Sequence, residues 1–418
     1  MSQIPQSDPP FDPAAASYDV ADVRAMFPAL AEGAAHFDGP GGSQVALPVA
    51  QAMYHTLTSA IANRGSTTRA ERRAESIVVA FRLAMGDLLE ADPRGIVFGR
   101  SMTQLTYDLS RTLGATWRPG DEVVVTRLDH DANVRPWVQA AAAAGATVRW
   151  ADFDPRTGEL TPDDLSAALS ERTRLVAFTA ASNLIGTRPD VGALTRLARA
   201  AGAIVFVDAV HLAAHATVSE RSWGADVVAC SPYKFLGPHC GVLAARPELL
   251  ESLHPDKLLP SSDAVPERFE LGTLPYELLA GCTAAVDVLA GLVPSATGSR
   301  RDQLVASFRA LEAHEDRLRS RIEAGLAERD DVTLYSRAAH RTPTLLFRLA
   351  GRSPAEVRAH LATRSVNAPA GSFYALETSQ RLGLGAEGGV RVGLAPYDDD
   401  HDVDRLLAAL EALGTRRF

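Results

Sequence analysis

Lys234 closes the segment Asp226-Val-Val-Ala-Cys-Ser231-Pro-Tyr233-Lys234, and upstream of it Asp208 closes the apolar run Ala203-Ile-Val-Phe-Val207. A lysine held against an apolar wall gives up its proton and becomes a nucleophile toward an aldehyde. A carboxylate delivered by a buried strand can hold a pyridine nitrogen protonated. Together these are the two protein groups that pyridoxal phosphate chemistry needs most. Taken alone, the pair would read as a strand end and a solvated loop charge, so the neighbouring motifs must carry the reading.

Those motifs stand at the ends of successive strand-like runs. Ser101, Met102 and Thr103 follow Phe98-Gly-Arg and open a helix, where free N–H groups and hydroxyls can cradle a phosphate or simply form a cap. His130 follows the next run and can lie flat on an aromatic cofactor or serve as a capping histidine. Asn183, in Ser182-Asn183-Leu-Ile-Gly186, can donate to a phenolate or a carboxylate, or occupy a turn. Asp208 would pair with the pyridinium nitrogen, His211 would face the ring oxygen, and Ser231 and Tyr233 would hold phosphate beside Lys234. Five polar sites in this order form a joint signal that none of them carries alone. No metal centre is expected. His211 and His215 have helical spacing but no HExxH glutamate and no third ligand, and His239-Cys240 is adjacent rather than spaced for chelation. There is no GxGxxG or P-loop, so a nucleotide cofactor is not supported.

Positioning these residues requires alternating strands and helices. Strands are expected at Gly95–Phe98, Glu122–Thr126, Thr147–Ala151, Arg174–Ala180, Ala203–Asp208, Asp226–Cys230 and Gly241–Ala245. Helical patterns at Thr103–Leu113, Asp131–Ala144, Pro162–Leu169 and Val191–Ala201 separate several of them. This is an α/β chain with a mostly parallel, doubly wound sheet, which binds ligands beyond its C-terminal strand ends. Further on, a long helix at Arg301–Glu328, strands near Val332–Tyr335, Thr344–Leu349 and Gly389–Gly393, and helices at Ser353–Thr363 and Asp400–Leu413 make a smaller α+β domain. The expected division is a flexible tail at 1–17, a large domain at 18–280 and a small domain at 281–418. Packing of the first part, about 18–60, against the small domain is left open.

The 418 residues carry 42 basic and 51 acidic side chains, a net charge of −9 that argues against nucleic acid as a partner. The basic stretch Arg64–Arg73 reads as a solvated or interface helix face. Three cysteines without CxxC spacing do not make a disulfide framework and point to a reducing, cytoplasmic setting. No secretory signal and no membrane-spanning run is expected.

The order of motifs resembles the class V aminotransferase family of fold type I pyridoxal phosphate enzymes, and within it the cysteine desulfurase-like group. The resemblance runs from about Tyr18 to the C-terminus. It takes in Phe37-Asp38-Gly39-Pro-Gly41-Gly42, Arg64-Gly65-Ser66, Phe269-Glu-Leu-Gly272-Thr273-Leu-Pro275 and Val390-Arg391-Val-Gly393. It implies that Lys234 is the Schiff-base lysine, Asp208 the pyridinium partner and His130 the stacking residue. It further implies that Thr103, Ser231 and Tyr233 hold phosphate, that Thr273 reaches the phosphate of a partner subunit in a homodimer, and that Arg391 grips the substrate carboxylate.

Three departures narrow the expected function. Tyr374, in Ala368-Pro-Ala370-Gly371-Ser372-Phe373-Tyr374, stands where a cysteine desulfurase keeps its persulfide cysteine. His211 stands where the family usually has glutamine, and Tyr233 where it usually has histidine. The leading expectation is a C–S β-lyase acting on cysteine, a cysteine S-conjugate or a similar β-substituted amino acid, without a persulfide relay and with Tyr374 at the substrate. The alternative is an aminotransferase, epimerase or decarboxylating deaminase of another amino acid. A non-catalytic binding protein is a third reading, opposed by the intact Lys234 and Asp208.

Overall fold

A computed structural model describes residues 18–414, and the tail expected over 1–17 lies outside the described residues. Its centre is a seven-stranded sheet in the order Ile96–Gly99, Gly241–Ala245, Val227–Cys230, Ile204–Asp208, Thr173–Thr179, Glu122–Thr126, Thr147–Ala151. Only Gly241–Ala245 runs against the others. Side chains alternate between the two faces of the sheet. Val124, Val176, Val205 and Val228 enter one core, while Val123, Val125, Leu175, Phe206 and Val227 enter the other. Burial on both faces explains why these strands read as near-continuous apolar runs.

The expected elements are present with small shifts, apart from two helices. The pattern at Asp131–Ala144 divides into a short turn, Asp131–Asn133, and a helix, Arg135–Ala144, because Pro136 suits only a helix's first turn. The pattern at Pro162–Leu169 is helical only over Pro162–Ser166. The 21-residue helix Arg69–Leu89 takes up much of the basic stretch. Arg64, just before it, is bound by Glu75 and Glu267, each at 2.8 Å.

A four-stranded antiparallel sheet, ordered Ala370–Gly371, Gly389–Gly393, Thr344–Leu349, Val332–Leu334, forms the second layer system. Ala35–His36 pairs in parallel with Val366–Asn367, so the chain's early segment is stitched to this side. The 28-residue helix Arg300–Ala327 starts on a capping box from Ser299 and Asp302. Its Leu304, Phe308 and Leu311 enter the large core, and its Leu318, Ile322 and Leu326 enter the small one. One helix therefore ties the two cores together. A boundary at 280 falls inside the helix Tyr276–Ala290, whose buried Leu279, Cys282, Val286 and Leu289 all belong to the large core. Among the described residues, no helix is long and apolar enough to cross a membrane.

Candidate active site

Parallel strands bring their C-terminal ends to one edge, and the predicted residues meet there. Ser101, Met102, Thr103, His130, Asn183, Asp208, His211, Ser231, Tyr233 and Lys234 line a single cavity. An adjoining cavity shares Thr103, His130, Asn183, Tyr233 and Lys234 and adds Tyr107, Asp131, Arg135, Phe373, Tyr374 and Arg391. Thr273 is not brought to this place within one chain. It lines a separate cavity with Arg100, Gln104, His239 and Glu270.

Lys234 ends the tight turn Pro232–Lys234 just after the strand Val227–Cys230. Its Nζ donates to the carbonyl of Pro40 and stands 4.9 Å from the centre of the Tyr233 ring. Burial lowers its pKa to about 7, Arg391 adds to the shift, and Asp208 opposes it. A good fraction of the amine is therefore uncharged at neutral pH. Asp208 accepts from the Val210 N–H at 2.8 Å. Burial raises its pKa to about 6, against the pull of that N–H and of Lys234. Among the described residues no cation lies within ion-pair range of this carboxylate, so a protonated ring nitrogen would supply the charge it lacks.

The helix Met102–Gly114 begins at the cavity, with Ser101 as its cap through a 3.0 Å bond from the Gln104 N–H. The first N–H groups of a helix have no partner inside the helix and carry its positive end. The approach to Gly241 is close enough that a Cβ there would lie 2.2 Å from the Met102 nitrogen. His130 accepts from the Ala132 N–H at Nδ1, at 3.0 Å. Burial first, and then Lys234, lowers its pKa to about 4, so it is a neutral ring.

Arg391 lies on the strand Gly389–Gly393 and is 2% exposed. One terminal nitrogen donates to the Asn183 carbonyl at 2.9 Å, and the Phe373 ring covers the guanidinium at 3.7 Å. Its Nε is buried without a partner. Among the described residues no carboxylate forms an ion pair with it, and burial lowers its pKa to about 9, against Asp38 and Tyr233. A buried cation in the wall of the outer cavity, without a carboxylate partner, calls for an anionic ligand.

Asn183 is tied to the loop that carries Phe373. One of its amide N–H groups is spent on the Phe373 carbonyl at 3.0 Å, which leaves its Oδ1 buried and unpartnered as an acceptor. Tyr374 is 77% exposed, and its carbonyl accepts from the Asp131 N–H at 2.8 Å. The loop carrying Phe373 and Tyr374 is thus tied to the cavity wall at two consecutive residues. Thr179, Thr342, Thr344 and the Pro40 carbonyl were not read from the sequence. Pro40 lies in a turn that the sequence does mark, but a carbonyl group has no signature of its own.

An unpaired buried carboxylate, a near-neutral lysine, a helix N-terminus with hydroxyls and an open guanidinium fit pyridoxal phosphate and an amino acid. The aminotransferase class-V family model matches residues 35–406. The chain belongs to that family. An uncharacterised protein of Mycobacterium tuberculosis is 34% identical over 95% of this chain and 100% of its own length. A probable cysteine desulfurase of Pseudomonas aeruginosa is 30% identical over 93% of this chain and 96% of its own. The crystal structure of the Escherichia coli cysteine desulfurase CsdA superposes with a TM-score of 0.83 at 26% identity, covering 95% of this chain and 98% of that one. The chain is therefore a pyridoxal phosphate-dependent, fold type I class V enzyme.

Proposed function

We propose that this enzyme is a C–S β-lyase that takes a cysteine S-conjugate or a similar β-substituted amino acid, together with one water, to a thiol, pyruvate and ammonia. The observation that carries this reading is a site built for an amino acid with no thiol in its walls. Cys230, Cys240 and Cys282 are all buried, and none lines either cavity. Tyr374 occupies the loop where a persulfide cysteine would be needed. The likeness to cysteine desulfurases supports sulfur substrates, and the missing thiol supports release of the sulfur product into solution.

In this reading Ser101, Met102, Thr103, Ser231 and Tyr233 hold the phosphate, Asp208 the ring nitrogen, and His130 one ring face. The bound cofactor supplies an electron sink for the pair left at Cα. Arg391, in the wall of the outer cavity, fixes the substrate carboxylate, and Lys234, near-neutral, moves the proton at Cα. Phe373 and Tyr374 line the outer cavity. Thr273 reaches the phosphate of a partner subunit in a homodimer, which would explain its distance from Lys234 in its own chain.

The test is to incubate purified protein with pyridoxal phosphate and a panel of cysteine S-conjugates and to assay thiol and pyruvate. Matched release of both supports the lyase. An amino-group transfer, racemised substrate or carbon dioxide in place of pyruvate would move the assignment to the aminotransferase, epimerase or decarboxylating reading.

A further inference from the structure

We infer that Phe373 is a positioning residue for the substrate carboxylate: its ring, stacked on Arg391, fixes the plane in which the guanidinium meets that carboxylate. The inference rests on the reading of Arg391 as the carboxylate residue, and not on which bond of the substrate breaks.

The stack is close. The Arg391 Cζ lies 3.7 Å from the centre of the Phe373 ring, so the guanidinium carbon sits over the face of the ring rather than its edge. No water fits between two groups at that separation. The negative face of the ring attracts the cation, and the attraction grows where both groups are out of water, as the buried Arg391 is. A second contact limits rotation of the guanidinium. One terminal nitrogen, Nη1, donates to the Asn183 carbonyl at 2.9 Å. The other, Nη2, has no hydrogen-bond partner among the described residues. A covered face and a tied nitrogen hold the group in one orientation, which planar pairing with a carboxylate requires.

The chain is bent to make this contact. Ala370 pairs with Val390 and Gly371 with Gly389 in antiparallel register, and the Arg391 N–H donates to the Pro369 carbonyl at 2.8 Å. Past Gly371 the strand therefore runs away from Arg391, and Phe373 must be turned back to reach it. Phe373 and Tyr374 have positive φ there, a conformation that glycine adopts far more readily than they do. Backbone strain of this kind persists where surrounding contacts over-determine it. The Asn183 amide donates to the Phe373 carbonyl at 3.0 Å, the Asp131 N–H to the Tyr374 carbonyl at 2.8 Å, and the Ala375 N–H to the Ser372 carbonyl at 2.9 Å. Asn183 thus holds both members of the stack, Arg391 through its carbonyl and Phe373 through its amide.

The test compares equilibrium binding of two ligands to the loaded protein: benzylthio-propanoate, which is S-benzylcysteine without its amine, and the uncharged amide of the same acid. Neither forms a Schiff base, so the ratio of their affinities reads the carboxylate contact alone. Wild type should prefer the carboxylate about thirtyfold or more. F373L keeps most of the volume and loses the aromatic face, and it should cut that preference about tenfold. F373Y keeps the face and should stay within about twofold of wild type. Equal weakening of both ligands by F373L would make Phe373 a packing residue only, and an unchanged preference, or an equal loss in F373Y, would make the aromatic face irrelevant. Each of these results overturns the inference. R391Q checks the underlying reading and should abolish the preference. A preference that survives R391Q would show that the carboxylate is bound elsewhere, and would overturn the inference together with the reading of Arg391.

Discussion

Arg391 and Lys234 repel each other inside one buried site, and each is left without a carboxylate partner. An amino acid substrate resolves this for Arg391 through its carboxylate. Replacing Arg391 with glutamine should therefore raise KM about thirtyfold or more, the loss of about 2 kcal/mol from a buried charge-assisted bond, with little change in cofactor occupancy. Steady-state kinetics and cofactor titration check this. The pKa of Lys234, lowered to about 7, makes a second prediction. Only the uncharged amine attacks an aldehyde, so the rate at which cofactor-free protein captures pyridoxal phosphate should climb through pH 7 and level off above pH 8. Stopped-flow absorbance across that range checks it, and a rise centred near the ordinary lysine value would show that the site does not depress the amine. That Lys234, Asp208 and Arg391 stand near one another was legible in the sequence, because Asp208 closes a strand, Lys234 follows one and Arg391 lies within one, each in a marked motif. The side-chain partners of His211 were not. Its partners, Thr342 and Thr344, come from a segment far along the chain that only packing brings back.

Elements decide how precisely those residues are held. Gly393 packs against the turn that carries the Pro40 carbonyl, and a Cβ at 393 would lie 2.1 Å from the Pro40 ring. Gly393→Ala should displace that turn and weaken cofactor binding by about tenfold, a shift of about 1.4 kcal/mol, measurable by fluorescence titration. Phe373 and Tyr374 have left-handed backbones, with φ of 52° and 58°. Such a conformation costs about 1–2 kcal/mol for a residue other than glycine. Tyr374→Gly should therefore leave the thermal midpoint no lower than wild type while flattening kcat/KM across different S-substituents. A lower midpoint would show that the exposed ring is needed for stability. The central strands were readable to within about two residues because both of their faces are buried. The loop was not readable, because its shape depends on the Asn183 amide and the Asp131 N–H rather than on its own residues. The split at Val134 was missed because Pro136 was absorbed into a continuous helical pattern.

At the scale of the molecule, one helix spans the large and the small core, and several large apolar side chains are exposed in one chain. Tyr54, Leu57, Leu258, Leu259 and Leu271 are each at least 60% exposed, with Leu259 at 97%. Exposed apolar residues near the Thr273 segment support a partner subunit there. Light scattering should give a homodimer, and Thr273→Val should weaken phosphate binding while leaving the dimer intact. Alternating strands and helices gave the layered architecture directly, whereas the pairing of Ala35–His36 with Val366–Asn367 had no local signal. The most direct test of the account is product analysis by mass spectrometry, using loaded protein and one cysteine S-conjugate over a single turnover. The account predicts thiol and pyruvate in equal amounts, with no sulfur left on the protein. Sulfur retained as a protein persulfide, or a three-carbon product other than pyruvate, would contradict it.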